Sequence, residues 1–277
     1  MDNVDRPKLV ASDVDGTLLD PLERVTPRTA GVVGRVVAAG VPFVLVSGRP
    51  PRWIPPVARA AGLTGYAVCA NGATVYDIAS GEALSVHDLA PVVLHDVTHA
   101  VRGVLPDIRV ATERTSVGPS PLAAFATEPG FRNPWGNPNG MDGENPEVPT
   151  AEVLGHPATK LMIRHSGLTS QELAAAVLSV LDGAALEVTY STNRGLIEVS
   201  AAGVTKATGL AEVCAMVDVP SSRVVAFGDM PNDVHMLRWA GHGVAMANAH
   251  HDVLAAADEV TAPNSEDGVA QVLERWF

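Results

Sequence analysis

Cysteine is scarce: Cys69 and Cys214 are the only two in 277 residues, far apart and in no Cys-x-x-Cys spacing. That excludes a disulfide framework and a thiolate zinc site, and it fits a reducing cytoplasm. Positive charge is also in short supply, since 19 Lys and Arg face 31 Asp and Glu and leave a formal net charge of −12. The global field repels phosphate backbones and anionic membrane surfaces, so neither nucleic acid nor a membrane is an expected partner. An anionic substrate must be held by local positive charge. No apolar run approaches the ~20 residues of a membrane span. The opening residues Met1-Asp2-Asn3-Val4-Asp5 carry acids where a signal peptide carries bases, and a soluble chain is expected.

What is present is a hydrophobic content of 47%, enough over this length to bury a full core, and two domains are expected. The most informative stretch is Asp13-Val14-Asp15-Gly16-Thr17-Leu18-Leu19, directly behind the short apolar run Leu9-Val10-Ala11. Two carboxylates one residue apart, at the carboxyl end of a strand, stand where open α/β sheets bind their ligands. Asp, Gly and Thr also form ordinary turns, so this pattern alone leaves function and turn formation equally open. A calcium loop of the EF-hand type is excluded, because counting from Asp13 puts Leu18 where that loop needs glycine and Arg24 where it needs glutamate.

Thr26-Pro27 reads as an N-cap and first helical residue and Gly40 as a stop, which predicts a helix over 27–39. The apolar run 41–46 predicts a strand buried on both faces of a parallel sheet, ending in the polar turn Ser47-Gly48-Arg49-Pro50. Strands over 66–70 and 74–77 flank Asn71-Gly72, a tight-hairpin signal in which Asn71 serves as a turn residue. Beyond Gly81 a second αβ unit is expected, with helices over 91–104 and 170–181 and strands over 108–111, 159–165 and 184–190. Within it, 129–149 is dense in Pro, Gly and Asn and reads as a long loop, either a slack insertion or a mobile lid. From Gly195 the first pattern resumes, with strands over 196–200, 223–227 and 243–247 and helices over 206–217, up to 240 and over 267–275.

Three apolar strands thus end in Asp13/Asp15, in Ser47 and in Asp229/Asp233, and if they run parallel their polar turns share one edge of the sheet. Lys206 opens a helix amid small, apolar neighbours, and it is one of just three lysines, with Lys8 and Lys160, in a chain whose default cation is arginine. His95 and His99, four apart on a helix, have no evident third ligand and read as a solvated face, as do His250 and His251.

With these residues in order, the chain resembles the haloacid dehalogenase superfamily, in particular its Cof-type hydrolases of the phosphatase branch. Asp13-x-Asp15-Gly16-Thr17 resembles motif one, Ser47 motif two, Lys206 motif three and Gly228-Asp229-x-x-Asn232-Asp233 motif four, with a large insertion between motifs two and three. The resemblance implies an α/β fold: a doubly wound, Rossmann-like parallel-sheet core over 1–80 and 193–277, and a smaller α+β cap over 81–192 that closes over the site. It implies a magnesium-dependent phosphatase of a small phosphorylated metabolite, a sugar phosphate being the expected example.

By the same resemblance Asp13 is the nucleophile that forms an aspartyl-phosphate, and Asp15 is the general acid and then the general base. The Asp13 carboxylate, the Asp15 backbone carbonyl and the Asp229 carboxylate are the implied Mg2+ ligands, an all-oxygen set. Asp233 orients a metal-bound water or Lys206 from behind, Lys206 pairs with Asp13 and the phosphate, and Ser47, the Gly48 amide and Asn232 hold phosphoryl oxygens. Arg49 stays outside the catalytic set as a solvated arginine. Two other readings share much of this pattern: a phosphomutase of the same superfamily, and a phosphorylation-switched receiver-type signalling domain. The second acid Asp15 and the Asn232-Asp233 turn favour turnover over switching.

Overall fold

The computed structural model describes residues 6–114, 124–132, 147–181 and 185–277. The N-terminal pentapeptide and most of the 129–149 segment, read above as a loop or lid, lie outside the described residues. The chain divides into two compact units, one of residues 1–85 and 205–277 and the other of 86–204.

The first unit begins with β1 (Leu9–Ser12), α1 (Pro27–Ala38), β2 (Phe43–Val46), α2 (Ile54–Ala61), β3 (Tyr66–Cys69), β4 (Thr74–Asp77) and β5 (Glu82–Val86). The second holds α3 (Pro91–Val104), β6 (Arg109–Arg114), β7 (Phe125–Thr127), α4 (Thr150–Val153), β8 (Ala158–Arg164), α5 (Ser170–Val180), β9 (Leu186–Thr189) and β10 (Leu196–Ala201). The chain then returns through α6 (Lys206–Met216), β11 (Val224–Gly228), α7 (Val234–Trp239), β12 (His242–Met246), α8 (His251–Ala256), β13 (Glu259–Thr261) and α9 (Gly268–Leu273).

In the first unit the strand order is β13-β12-β11-β1-β2-β3-β4-β5. The strands from β13 to β3 pair in parallel and β4 runs antiparallel to β3. Side chains alternate across this sheet. Val10, Phe43 and Leu45 pack with α1, α2 and α9 on one face, while Leu9, Ala11, Val44 and Val46 pack with α6 and α7 on the other. Burial on both faces is why these strands read as unbroken apolar runs. The order leaves β1 one way through α1 toward β2 and the other way toward β11, so the winding reverses between β1 and β11 and opens a crevice at their carboxyl ends.

The second unit is a five-stranded antiparallel sheet in the order β7-β6-β8-β10-β9. Leu94, Val97 and Val101 of α3 and Leu173, Ala174 and Val177 of α5 pack on Val110, Leu161, Ile163, Ile197 and Val199. Alternating with these, Ala111, Met162 and Leu196 join Phe125 and Phe131 in a smaller cluster.

Two strands fall elsewhere than the sequence pattern suggests. The strand over 196–200, read as resuming the parallel sheet, is β10 and pairs antiparallel with β8 and β9. It is buried along its length, so its apolar run imitates a parallel core strand. β5 lies beyond residue 80 yet extends the eight-stranded sheet. The 66–77 hairpin forms, but register pairs Cys69 with Thr74, so its loop is 70–73 and not the two residues Asn71-Gly72. Helix α2 has no counterpart in the sequence reading because Pro55 and Pro56 interrupt the pattern; both sit in its first turn, where a missing N–H costs nothing.

Candidate active site

Asp13 continues β1, its amide donating to Phe227 O at 2.9 Å, and the chain then bends sharply through Gly16 at φ +78°. A Cβ on Gly16 would lie 2.3 Å from Asp229 Oδ2, so the bend brings backbone against a carboxylate that arrives from the end of β11. Thr17 Oγ1 donates to Asp229 Oδ1 at 2.9 Å and locks the two loops together. Asn248 and Asn264 hold the outside of the same bend: Asn248 Nδ2 donates to Gly16 O at 2.9 Å and Asn264 Nδ2 to Leu19 O at 2.8 Å. Gly16→Ala is expected to lower stability by roughly 1–2 kcal/mol through its left-handed φ. It should also displace the Asp229 carboxylate, and urea unfolding beside the wild type checks the loss of stability.

Lys206 is the first residue of α6 because Thr205 caps that helix, its Oγ1 accepting from Thr208 N at 3.2 Å. Its side chain is fully buried and among the largest so buried of the described residues. Lys206 Nζ donates to Asp13 Oδ1 at 2.5 Å and to Asp233 Oδ1 at 2.6 Å. The other Asp233 oxygen accepts from the amides of Asp229 and Met230, each at 3.0 Å. One network therefore joins the ends of β1 and β11 to the start of α6.

Burial pushes the Asp13 carboxyl well above the usual carboxylate range; Lys206 opposes this, while Asp233 and Asp229 add to it. Burial and then the Asp233 charge push Asp229 up to about 7, against the Thr17 hydrogen bond. Burial alone would lower Lys206, but Asp13 and Asp233 together hold it above the ordinary lysine value. Asp13, Asp229 and Asp233 each bring a carboxylate oxygen within 4.8 Å of the others. Ionised, these three buried acids face one ammonium, so two negative charges stay uncompensated. An all-oxygen cluster with that excess fits an oxygen-seeking divalent cation such as magnesium.

Asp15 stands apart from this cluster. Its side chain is 54% exposed and is clasped by Arg49, with Nε to Oδ2 at 2.8 Å and Nη2 to Oδ1 at 2.6 Å. Arg49, read from sequence as a solvated arginine, is mostly covered and joins the β2 turn to the β1 turn. Ser47 is buried; its Oγ accepts from Arg49 N at 3.1 Å and its carbonyl from Asn71 N at 3.0 Å. Asn232 Nδ2 donates to Asn71 Oδ1 at 3.0 Å, and a Cβ on Gly48 would lie 3.1 Å from that same oxygen. The Ser47-Gly48 turn and Asn232 thus meet at Asn71. No sequence signal separated Arg49, Asn71, Asn248 or Asn264 from ordinary turn residues.

His95 and His99 are exposed on α3, with no third ligand gathered there among the described residues. His250 and His251 lie against Asp252 at 3.5 and 3.1 Å, which accounts for their grouping at the start of α8.

The profile of the haloacid dehalogenase-like hydrolases matches residues 10–273. The chain is 30% identical over 282 residues to the 5-amino-6-(5-phospho-D-ribitylamino)uracil phosphatase YitU of Bacillus subtilis, covering 98% of each. It is 28% identical over 277 residues to the pyridoxal phosphate phosphatase YbhA of Escherichia coli, covering 96% of this chain and 97% of that one. The solved subclass IIB sugar phosphatase BT4131 superposes with a TM-score of 0.80 at 23% identity, over 97% of this chain and 98% of that one.

Proposed function

The chain belongs to the haloacid dehalogenase-like hydrolase family and is a phosphatase of small phosphorylated metabolites, and we propose that it works with magnesium through an aspartyl-phosphate on Asp13. The observation that carries this reading is the buried Asp13–Lys206–Asp233 network beside Asp229. Lys206 sets an ammonium against Asp13 that aims the carboxylate and opposes the burial that favours its neutral form. Asp13 and Asp229, with the Asp15 carbonyl, would hold the cation, which when bound neutralises charge on the phosphoryl oxygens that face the nucleophile.

In the first step an Asp13 oxygen bonds to phosphorus, the ester oxygen leaves, and Asp15 gives that oxygen a proton. In the second, Asp15 takes a proton from water, the water oxygen bonds to phosphorus, and Asp13 is released with inorganic phosphate. Ser47, the Gly48 amide and Asn232 hold the phosphoryl oxygens. Asp233 positions rather than reacts, since Lys206 and two amides occupy its oxygens. Asp15 must leave part of its clasp with Arg49 to carry a proton. The second unit serves as the cap that selects the ester, and the substrate is a sugar phosphate.

A panel of phosphorylated metabolites assayed with and without magnesium tests this. Magnesium-dependent phosphate release with the highest kcat/KM on a sugar phosphate is expected; isomerisation without free phosphate would instead mark a phosphomutase.

The raised Asp229 carboxyl sets a pH dependence. Below about 7 it takes up a proton, so magnesium affinity should fall as pH falls. Stability of the cation-free protein has the opposite sign. Between the ordinary carboxylate range and about 7 the folded protein keeps a proton that the unfolded chain has released, so stability is lost as pH rises through that window. Urea unfolding should show magnesium stabilising the protein more at about pH 8 than at about pH 6. Equal stabilisation at both would remove Asp229 from the cation site.

A further inference from the structure

The turn between β3 and β4 belongs to none of the four motif loops, yet it touches three of them. Ala70, Asn71 and Gly72 have φ of 49°, 58° and 107° in succession. L-residues avoid this left-handed region, and such a run persists only where surrounding contacts hold it. Here the contacts come from the site. Ala70 N donates to Arg49 O at 2.9 Å and Asn71 N to Ser47 O at 3.0 Å. Asn71 Oδ1 accepts from Asn232 Nδ2 at 3.0 Å. Gly72 lies so close to the cap of α6 that a Cβ there would meet Thr205 O at 2.0 Å, one residue before Lys206.

Asn71 and Asn232 are 4% and 7% exposed, and Asn232 Oδ1 has no hydrogen-bond partner among the described residues. The bond to Asn71 therefore fixes which way the Asn232 amide faces. A phosphoryl oxygen only accepts and cannot complete that amide oxygen, so the hydrogen Asn232 offers to phosphate is the second one on Nδ2, whose direction the bond to Asn71 sets.

Resting on the phosphatase reading above, we propose that Asn71 is a positioning residue for phosphoryl binding. Its backbone N–H sets Ser47 and its side-chain oxygen sets Asn232, so one residue from outside both loops fixes the spacing of two groups that hold the phosphoryl oxygens. Asparagine suits both tasks, because it tolerates positive φ and carries the acceptor.

Asn71→Gly separates the tasks, since it keeps the positive φ and the amide to Ser47 but deletes the acceptor. With a generic aryl phosphate, KM and the inhibition constant of inorganic phosphate are expected to rise together by roughly tenfold, with kcat less affected. Magnesium-induced stabilisation should stay as in the wild type, while Tm falls by a few degrees for the lost buried bond. Asn71→Ala should show the same kinetic loss and a Tm lower still, because alanine at this φ is strained. Asn232→Ala should match Asn71→Gly, and the double variant should be no worse than either alone. Unchanged KM and phosphate inhibition in Asn71→Gly, or additive losses in the double variant, would overturn the proposal while the wild type remains an active phosphatase. A wild type that releases phosphate from no ester would instead overturn the phosphatase reading, and this proposal with it.

Discussion

Asp13→Asn is expected to abolish magnesium-dependent phosphate release, with kcat falling by at least roughly four orders of magnitude. At the same time it should raise the thermal stability of the metal-free protein. The first effect follows because an amide oxygen cannot displace the ester oxygen from phosphorus. The second follows from electrostatics, since Asp13 is pushed well above its ordinary range by burial and by Asp233 and Asp229. Removing its charge leaves Asp229 and Asp233 facing Lys206, and the amide oxygen of the substituted side chain still accepts from Nζ. Asp13→Asn should therefore melt at a higher temperature without magnesium and gain less from added magnesium. A variant that keeps normal turnover would end the nucleophile assignment, and one that melts well below the wild type would end the electrostatic account.

Lys206→Met carries the second large effect, in the opposite direction for folding. The lysine is 1% exposed and bonds two carboxylates, so its loss leaves buried charge without a counterion. Breaking a buried pair from one side costs about 3–5 kcal/mol. The loss should shrink as pH falls, because Asp13 then neutralises itself by taking up a proton. Urea unfolding at several pH values reads this slope, and a pH-independent loss would mean that packing, not charge, gives Lys206 its role. Turnover should fall with stability, since the same ammonium bonds Asp13 and, in the proposed mechanism, would face the phosphoryl group. Where the variant folds at low pH, its failure to release phosphate separates the two effects.

Much of this site was legible in the sequence because parallel strands announce themselves twice, by an unbroken apolar run and by the polar turn at its carboxyl end. Asp13, Ser47 and Asp229 each follow such a run, and β2, β1 and β11 do lie side by side in parallel. Lys206 stood out by rarity and by its small neighbours. The same signal misassigned β10, whose apolar run arises from burial in an antiparallel sheet, since periodicity reports burial and not the partner strand. The clasp of Arg49 on Asp15 was invisible, because a surface arginine and a covered one are the same letter until the turn that carries it is placed. Asn71 was read as a turn former, which its φ of 58° bears out, but its bonds to Ser47 and Asn232 depend on loops far away in the chain.

The central claim is that the Asp13 carboxylate itself bonds to phosphorus. Acid-quenching the enzyme during turnover of an aryl phosphate with magnesium, followed by peptide mapping, tests it most directly. A phosphoryl adduct on Asp13, absent from Asp13→Asn, is the expected result. An adduct on any other residue, or none while phosphate release continues, would contradict it.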